Sequence, residues 1–372
     1  MRAFITTGLG ILLFCITRAQ TQDNNPTAWF NSFQKFTYNS PNTDSAFFYV
    51  RKLASDKKYT FMLSDLLHKS FAQEFLPKKP VNPNEAAVTD SQLQRSKVVL
   101  MKMVADTTGL LQEMARPIYL WTKIVDHSND PAVLNQLSKE FIEKEMGSGN
   151  LYQNSRARYG LMIYQVISGH ASLRSLAENL YSTIFSNLKN NQLVATDSSS
   201  RLDLDKRASY RYLYAYANYI KALQTYDPRV KEGLLKSAFD YSPDLIDKNH
   251  YSAFFYDMIF LFAGEEKKSF KGDYVSFLAN TTADKSKITS TLLKVALIEP
   301  EYKPQLKEYY NKNNKSNKSF DDYWRESVNA SAKTALPIML RELDEKLFAS
   351  NKLEGKWILV DFWGTWCAPC RK

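Results

Sequence analysis

Several residue types are scarce in this sequence, and each shortage removes a class of protein or site. Glycine accounts for 12 of the 372 residues, about 3% against roughly 7% in an average protein. Such low glycine argues against a β-rich body with many tight turns. The four histidines lie far apart and form no ligand pair, so we interpret them as surface or structural residues and predict no metal or other cofactor.

Acidic residues are fewer than basic ones, 39 against 49, which gives a formal net charge of +10. The clearest local excess is Lys312, Lys315 and Lys318, inside a polar stretch rich in asparagine and serine. No helical stripe of basic residues alternates with aromatics. We therefore interpret the charge as a solvated surface and predict no nucleic-acid partner.

The first nineteen residues have the pattern of a secretory signal peptide. Arg2 gives a short positive start, and Phe4 to Ile16 is an apolar stretch of thirteen residues, too short for a usual membrane span. In Thr17-Arg18-Ala19, the small residues Thr17 and Ala19 stand at the −3 and −1 positions of a cleavage site before Gln20. The sequence therefore predicts export to the periplasm or cell envelope, with residues 1–19 removed.

Cysteine is rarer still, with three residues in the whole chain. Cys15 raises the alternative of a lipoprotein, although Phe14 stands before it where a small residue is expected. Cleavage after Ala19 would leave Cys367 and Cys370, whose disulfide would close a four-residue loop. The loop-entropy estimate for such a bridge is roughly 2 kcal/mol, so it is poorly suited to stabilising a fold and well suited to being made and broken.

Residues 20–318 read as one helix after another. Apolar residues recur at spacings of three and four in three stretches, and each set makes one face of a helix. These sets are Leu111, Met114, Ile118, Trp121 and Val125; Leu173, Leu176, Leu180, Ile184 and Leu188; and Leu213, Tyr216, Ile220 and Leu223. We expect an all-α domain of about ten or more helices, in which stacked helical hairpins are one arrangement and no fixed repeat is evident.

Proline marks several predicted helix boundaries in this domain. Asp130-Pro131, Asp227-Pro228 and Ser242-Pro243 each place a capping side chain before a proline at the first helical position. Pro117 falls inside the first apolar set, so that helix is expected to kink or restart there. Neither a phosphate-binding glycine loop nor a nucleophile elbow occurs in these residues.

A polar, basic stretch from Asn311 to Ser319 predicts a linker, and residues 320–372 form the second predicted domain. Its first part, Phe320 to Ala349, reads as partly helical, including Arg341 to Phe348. Trp357 to Trp363 is β-branched and aromatic, which is typical of a buried strand.

A cysteine pair follows that predicted strand. A Gly-Thr turn leads into Cys367, and Pro369 stands just before Cys370. Pro369 suits the first turn of a helix, which would place Cys367 at the helix N-terminus. Unpaired amides there favour a thiolate, the species that attacks disulfides. A metal site would need about four ligands, more than one cysteine pair supplies. Covalent haem attachment would need a histidine after the second cysteine, but Arg371 stands there. We therefore expect neither of these sites.

The run ILVDFWGTWCAPCRK resembles the active-site segment of the thioredoxin superfamily. The preceding Leu353 to Lys356 resembles the approach to that segment in secreted, TlpA/ResA-like thiol–disulfide oxidoreductases. The resemblance covers Pro337 to Lys372, 36 of 372 residues. It implies the incomplete start of a thioredoxin-like α/β domain. Together with the helical patterns of residues 20–318, this gives a mostly α chain with an all-α N-terminal domain.

The resemblance also implies roles for individual residues. Cys367 would attack a target disulfide and Cys370 would resolve the mixed disulfide. Asp361, six residues before Cys367, is at the spacing of the buried acid that accepts the proton of the second thiol. Trp366 would shape the face presented to partners, and Pro369 would help to set the redox potential. The implied partners are disulfide-bearing envelope proteins and a membrane electron donor.

Two functions remain open from the sequence. The first is an exported thiol–disulfide oxidoreductase, and the second is a helical envelope binding or scaffold protein with a vestigial cysteine segment. Because a thioredoxin-like domain needs several tens of further residues, we expect the gene product to continue beyond Lys372. The other explanation is a truncated form whose tail docks on the helical domain, and sequencing past the codon for Lys372 decides between them.

Overall fold

The computed structural model describes residues 25–77, 83–148, 153–196, 198–314, 317–332, 338–341 and 345–350. Within these residues the chain is mostly α-helical, with sixteen α-helices and one two-stranded sheet, which agrees with the predicted mostly-α class.

The helices occupy these ranges: α1 Pro26–Gln34, α2 Thr43–Ala54, α3 Thr60–Asp65, α4 Pro83–Val104, α5 Leu110–Asp126, α6 Pro131–Glu145, α7 Arg156–Ile167, α8 Arg174–Asn190, α9 Arg201–Leu223, α10 Pro228–Tyr241, α11 Leu245–Lys248, α12 Phe255–Leu261, α13 Lys271–Thr281, α14 Lys285–Ile298, α15 Lys303–Asn313 and α16 Phe320–Ser331. The strands are β1 Met339–Arg341 and β2 Leu347–Ala349. None of the helices in the described part of the chain is both long and apolar enough to span a bilayer.

The chain divides into two compact units between Thr291 and Leu292, inside α14. The segment 311–319, predicted to be a linker, lies in the second unit. Its first three residues are the end of α15, which continues to Asn313. Polar composition alone did not separate an exposed helix end from a connecting loop.

Two of the three predicted proline boundaries are helix starts. The Asp130 carboxylate accepts the amides of Ala132 and Val133 at 3.0 and 3.2 Å, and Pro131 is the first residue of α6. Asp227 caps α10 in the same way, with Pro228 at its first position. The missing N–H of proline costs nothing there, because that amide would have no partner within the helix.

The third boundary, Ser242-Pro243, is not a helix start. Ser242 ends α10 instead, and its hydroxyl donates to the carbonyl of Ala238 at 2.9 Å. The same hydroxyl accepts the amide of Phe270 at 2.9 Å. The next helix, α11, is capped by Asp244. A serine beside a helix can satisfy unpaired backbone groups at either end of it. Tertiary contacts therefore decide whether Ser242 begins or ends a helix.

Of the two outcomes predicted at Pro117, a kink or a restart, the restart is wrong and the kink stays a prediction. Helix α5 continues as one element through Pro117, which is itself buried. Proline at this position costs the helix one backbone hydrogen bond. The burial of Met114, before Pro117, and of Ile118 and Trp121, after it, in the core offsets this loss.

The predicted apolar faces form the core of the first unit. Most of their members are buried, including Leu111, Ile184 and Tyr216, whereas the last residue of two sets, Val125 and Leu223, is exposed. Both lie at or near helix C-termini, where the face leaves the core.

Aromatic residues occupy the middle of this core. The rings of Trp121, Tyr159 and Phe260 form a cluster with centroid distances of 5.6 to 6.3 Å.

In the second unit, α15 packs on α16 through aromatic rings. Tyr310 stacks on Tyr323 with centroids 4.6 Å apart and meets the edge of Phe320 at 5.8 Å. The helix predicted at Arg341 to Phe348 is wrong, because both ends of that stretch belong to antiparallel strands with Leu340 opposite Phe348. Pairing across a hairpin overrode weak local helical propensity.

Candidate functional site

The five residues singled out from the sequence, Cys367, Cys370, Asp361, Trp366 and Pro369, lie outside the described residues. Their assembly into a redox site stays a prediction. The described residues hold a different candidate site in the first unit, where a cleft lies beside a buried polar cluster.

The cleft has a volume of about 350 Å³ and is built by α1, α3, the turn after α3 and the start of α12. Phe30, Phe61 and Tyr256 supply aromatic walls. Phe61 is 74% exposed, which is unusual for a phenylalanine and marks the mouth of the cleft. A largely apolar concavity with a few polar groups has the general character of a small-ligand site.

The shape of the turn after α3 explains which side chains reach the cleft. Residues Leu66–Ser70 form a π-helical turn, and a 3₁₀ turn follows. Such turns are rare, cost stability and frequently occur at functional sites. In this turn Leu66, Leu67 and His68 are buried, whereas Lys69 and Ser70 line the cleft.

The charged groups of the cleft are one matched pair. Lys69 Nζ lies 2.7 Å from Asp65 Oδ1, and the two side chains are 34% and 37% exposed. The same ammonium lies 5.9 Å from the ring centroids of both Phe61 and Tyr256. The cation is therefore held between two aromatic rings and a carboxylate.

Two residues with a side-chain hydroxyl, Thr27 and Ser70, also line the cleft, and neither hydroxyl has a hydrogen-bond partner among the described residues. They can donate to, or accept from, a bound molecule.

A buried polar cluster is attached to the same π-helical turn. The carbonyl of His68 accepts a hydrogen bond from Arg158 Nη2 at 2.7 Å, and His68 Nδ1 lies 3.3 Å from the Tyr159 hydroxyl. Arg158 lies 3.5 Å from Asp257, whose other oxygen accepts the Ser209 hydroxyl at 2.9 Å. The Arg158 guanidinium also sits 4.3 Å above the Phe260 ring.

Burial dominates the ionisation of this cluster. Burial, helped by the charges of Arg158 and Arg156, holds the pKa of His68 well below its ordinary value. Burial also raises the pKa of Asp257, against the opposing effect of Arg158, and raises the pKa of Tyr159 to about 12. At neutral pH the imidazole is therefore neutral and the phenol keeps its proton.

The cluster positions the cleft and does not itself react. His68 and Tyr159 are almost completely buried, so a substrate cannot reach them. In two chain segments a residue of the cluster is the direct neighbour of a residue of the cleft. His68 of the cluster precedes Lys69 of the cleft, and Asp257 of the cluster follows Tyr256 of the cleft. The hydrogen bond from Arg158 to the His68 carbonyl thus anchors the turn that carries Lys69 and Ser70.

This site was not predicted from the sequence. The interpretation of the histidines as surface or structural residues agrees with His68, which is buried and lies 3.3 Å from the Tyr159 hydroxyl through its Nδ1. A usable signal was the four-residue spacing of Phe61, Asp65 and Lys69, which places an aromatic ring and both charges on one helical face.

Within the described residues, no three histidine, cysteine, aspartate or glutamate side chains come together in a way that could hold a metal ion. Comparisons with protein-family models, curated proteins and solved structures found no match to this chain. The function must therefore be argued from the residues themselves.

Proposed function

We propose that this protein is an exported thiol–disulfide oxidoreductase that reduces or exchanges disulfides of envelope proteins through Cys367 and Cys370. The observation that carries the proposal is the sequence Trp-Cys-Ala-Pro-Cys directly after the β-branched, aromatic run from Trp357 to Trp363. A predicted signal peptide at residues 1–19 and the absence of other cysteines after it agree with a dithiol that works outside the cytoplasm.

The described residues just before this segment support the start of an α/β domain. The last α-helix of the described chain ends at Ser331, and strands β1 and β2 follow. A hairpin of two three-residue strands is marginal on its own and needs further strands or a packed helix. The predicted strand from Trp357 to Trp363 would supply such a partner.

The reaction is a pair of thiol–disulfide exchanges. The Cys367 thiolate attacks one sulfur of the target disulfide, and the other target sulfur leaves as a thiolate. Cys370, whose proton would pass to Asp361, then attacks the Cys367 sulfur, and the second target sulfur leaves. The target gains two electrons and the protein carries a Cys367–Cys370 disulfide, which a dithiol donor at the membrane would reduce.

Insulin reduction tests this proposal on the complete product of the reading frame that encodes the sequence. We expect turnover with dithiothreitol as the reductant and loss of nearly all turnover above the reductant-only rate in Cys367→Ser. Equal rates for the parent protein and Cys367→Ser would overturn the assignment.

A second candidate function is binding or scaffolding by the helical unit. The cleft bounded by Phe30, Phe61 and Tyr256 favours it, because this site is built without any residue of the dithiol segment. Partner capture by the Cys367→Ser, Cys370→Ser double variant separates the two functions. Capture equal to that of the parent protein supports binding by the helical unit, and loss of capture supports the redox function.

A further inference from the structure

We propose that the cleft of the first unit binds a free amino acid with an aromatic side chain. The proposal does not rest on the redox function, because the residues that carry it all belong to the described helices and turn of the first unit. It rests on the walls of the cleft, the charge pair within it and the buried cluster that holds the pair in place.

The walls select a flat, apolar group. Phe30, Phe61 and Tyr256 surround a volume of about 350 Å³, large enough for one ring and a short polar end. Ring–ring contacts add stabilisation beyond the area that they bury. The high exposure of Phe61 leaves its face available to such a ring.

The charge pair selects a ligand that carries both signs. Lys69 Nζ and Asp65 Oδ1 are 2.7 Å apart, so the cleft presents one cation and one anion side by side. A ligand carboxylate can pair with Lys69 while its ammonium pairs with Asp65, and no charge loses its partner.

A ligand of single charge is disfavoured by the same geometry. A simple carboxylate would draw Lys69 away from Asp65 and leave that carboxylate without its counter-ion. A simple amine would have the opposite effect. Both side chains are about two-thirds covered, so an unpaired charge here costs more than on an open surface.

Two further polar side chains, Thr27 and Ser70, line the cleft. Their hydroxyls have no hydrogen-bond partner among the described residues and can bond to a polar group of the ligand. A ligand with a peptide bond at either end would lack one of the two charges, so a free amino acid fits better than a peptide terminus.

The buried cluster makes the arrangement rigid before the ligand arrives. Arg158 binds the carbonyl of His68, the residue before Lys69, and also pairs with Asp257, the residue after Tyr256. One buried guanidinium therefore fixes two of the chain segments that line the cleft. Preorganisation of this kind lowers the entropy that binding must overcome.

Calorimetric titration of the full chain with phenylalanine tests the proposal. The comparison ligands are 3-phenylpropionate, which lacks the ammonium group, and 2-phenylethylamine, which lacks the carboxylate. We expect phenylalanine to bind and each comparison ligand to bind about tenfold or more weakly. Equal affinities, or no heat with phenylalanine up to about 10 mM, would overturn the proposal.

Three variants locate the binding at the cleft. Phe61→Ala removes a wall that is 74% exposed, so the fold should survive, while Lys69→Met and Asp65→Asn each remove one charge. We expect each to weaken phenylalanine binding at least fivefold or so, in line with lost stacking or a lost charge-assisted hydrogen bond.

The matched control is Lys144→Met. Lys144 pairs with Glu140 at the same four-residue spacing and the same 2.7 Å distance, on α6 and away from the cleft residues. Its affinity should equal that of the parent protein. A fall as large as that of Lys69→Met would show that net charge, not the cleft, governs binding. The titration needs no turnover by the dithiol, so its failure and the failure of the proposed redox function are separate results.

Discussion

At the scale of single residues, Glu145 is the clearest buried charge. It has no exposed surface, and its two carboxylate oxygens accept hydrogen bonds from Arg116 and Arg156. Arg156 is itself buried and also reaches Glu113 at 3.0 Å. Removing the carboxylate would take away a partner that both guanidinium groups share.

We therefore predict that Glu145→Ala lowers the free energy of unfolding by about 3–5 kcal/mol, the range for breaking one side of a buried ion pair. The matched control is Glu140→Ala, on the same helix, whose pair with Lys144 is partly exposed, at 34% and 51%, whereas Glu145 has no exposed surface. Its cost should stay below about 1 kcal/mol. Urea denaturation of both variants measures the difference, and equal costs would contradict the account of this cluster.

His68 gives the protein a pH-dependent stability. Burial, then Arg158 and Arg156, lower its pKa well below the ordinary 6.5, so the unfolded chain takes up this proton before the folded one does. The stabilising effect is therefore present above pH 6.5 and is lost as the pH falls below it. Asp257 acts in the opposite sense, because its raised pKa favours the folded state as acid is added.

The corresponding prediction uses His68→Gln, which cannot titrate. Between pH 7.5 and 5.5 the parent protein should lose about 1.4 kcal/mol more stability than the variant, since one pH unit below the unfolded pKa corresponds to that amount. Denaturation midpoints at the two pH values measure the loss. Asp257 is present in both proteins and cancels in the comparison. Parallel pH dependences would refute a buried, neutral His68.

At the scale of helices, Gly160 sets how closely α7 can approach its neighbours. A Cβ atom there would lie 2.5 Å from Ile184 Cδ1 on α8 and 3.3 Å from Phe141 Cε1 on α6. Glycine in a helix normally costs about 1 kcal/mol relative to alanine, so its presence reflects close packing.

Gly160→Ala should therefore destabilise the protein by about 1–3 kcal/mol despite the gain in helix propensity. The cost should shrink by about 0.5 kcal/mol or more in an Ile184→Val background, which removes the clashing Cδ1 atom. Gly233→Ala on α10, where a Cβ meets nothing within 4 Å, should be neutral or stabilising. Thermal denaturation compares the parent protein, the three single variants and the Gly160→Ala, Ile184→Val double variant. A stabilising Gly160→Ala would contradict the close packing at this position.

Local chemistry predicted several helices and some of their ends. The carboxylates of Asp130 and Asp227 accept the amides of the residues two and three positions further along the chain, so the sequence contains all of this interaction. Ser242 behaves differently, because its hydroxyl is held by Phe270, 28 residues along the chain. No local pattern includes that contact.

The cleft could not be predicted for the same reason. Thr27, Phe61 and Tyr256 come from three distant parts of the chain, and only the fold of the first unit brings them together. Arg158 and Asp257, which anchor the cleft, are likewise far apart in sequence. The dithiol is the opposite case, since its resemblance depends on residues that are consecutive in the chain.

At the scale of the whole molecule, we propose an exported protein with a helical first unit and a dithiol at Cys367 and Cys370. Export predicts a mature N-terminus at Gln20. Mass spectrometry of the protein recovered from the cell envelope should give a first peptide that starts at Gln20. A lipid-modified Cys15 would instead support the lipoprotein alternative and anchor the protein at the membrane.

The most direct measurement of the central claim is the trapping of a mixed disulfide with insulin. In Cys370→Ser, the attacking thiol has no partner to resolve it, so Cys367 should stay bonded to an insulin chain in an adduct that dithiothreitol releases. Cys367→Ser should form little or no adduct under the same conditions. Equal adducts with both variants, or none with either, would contradict the assignment of Cys367 as the attacking group of an oxidoreductase.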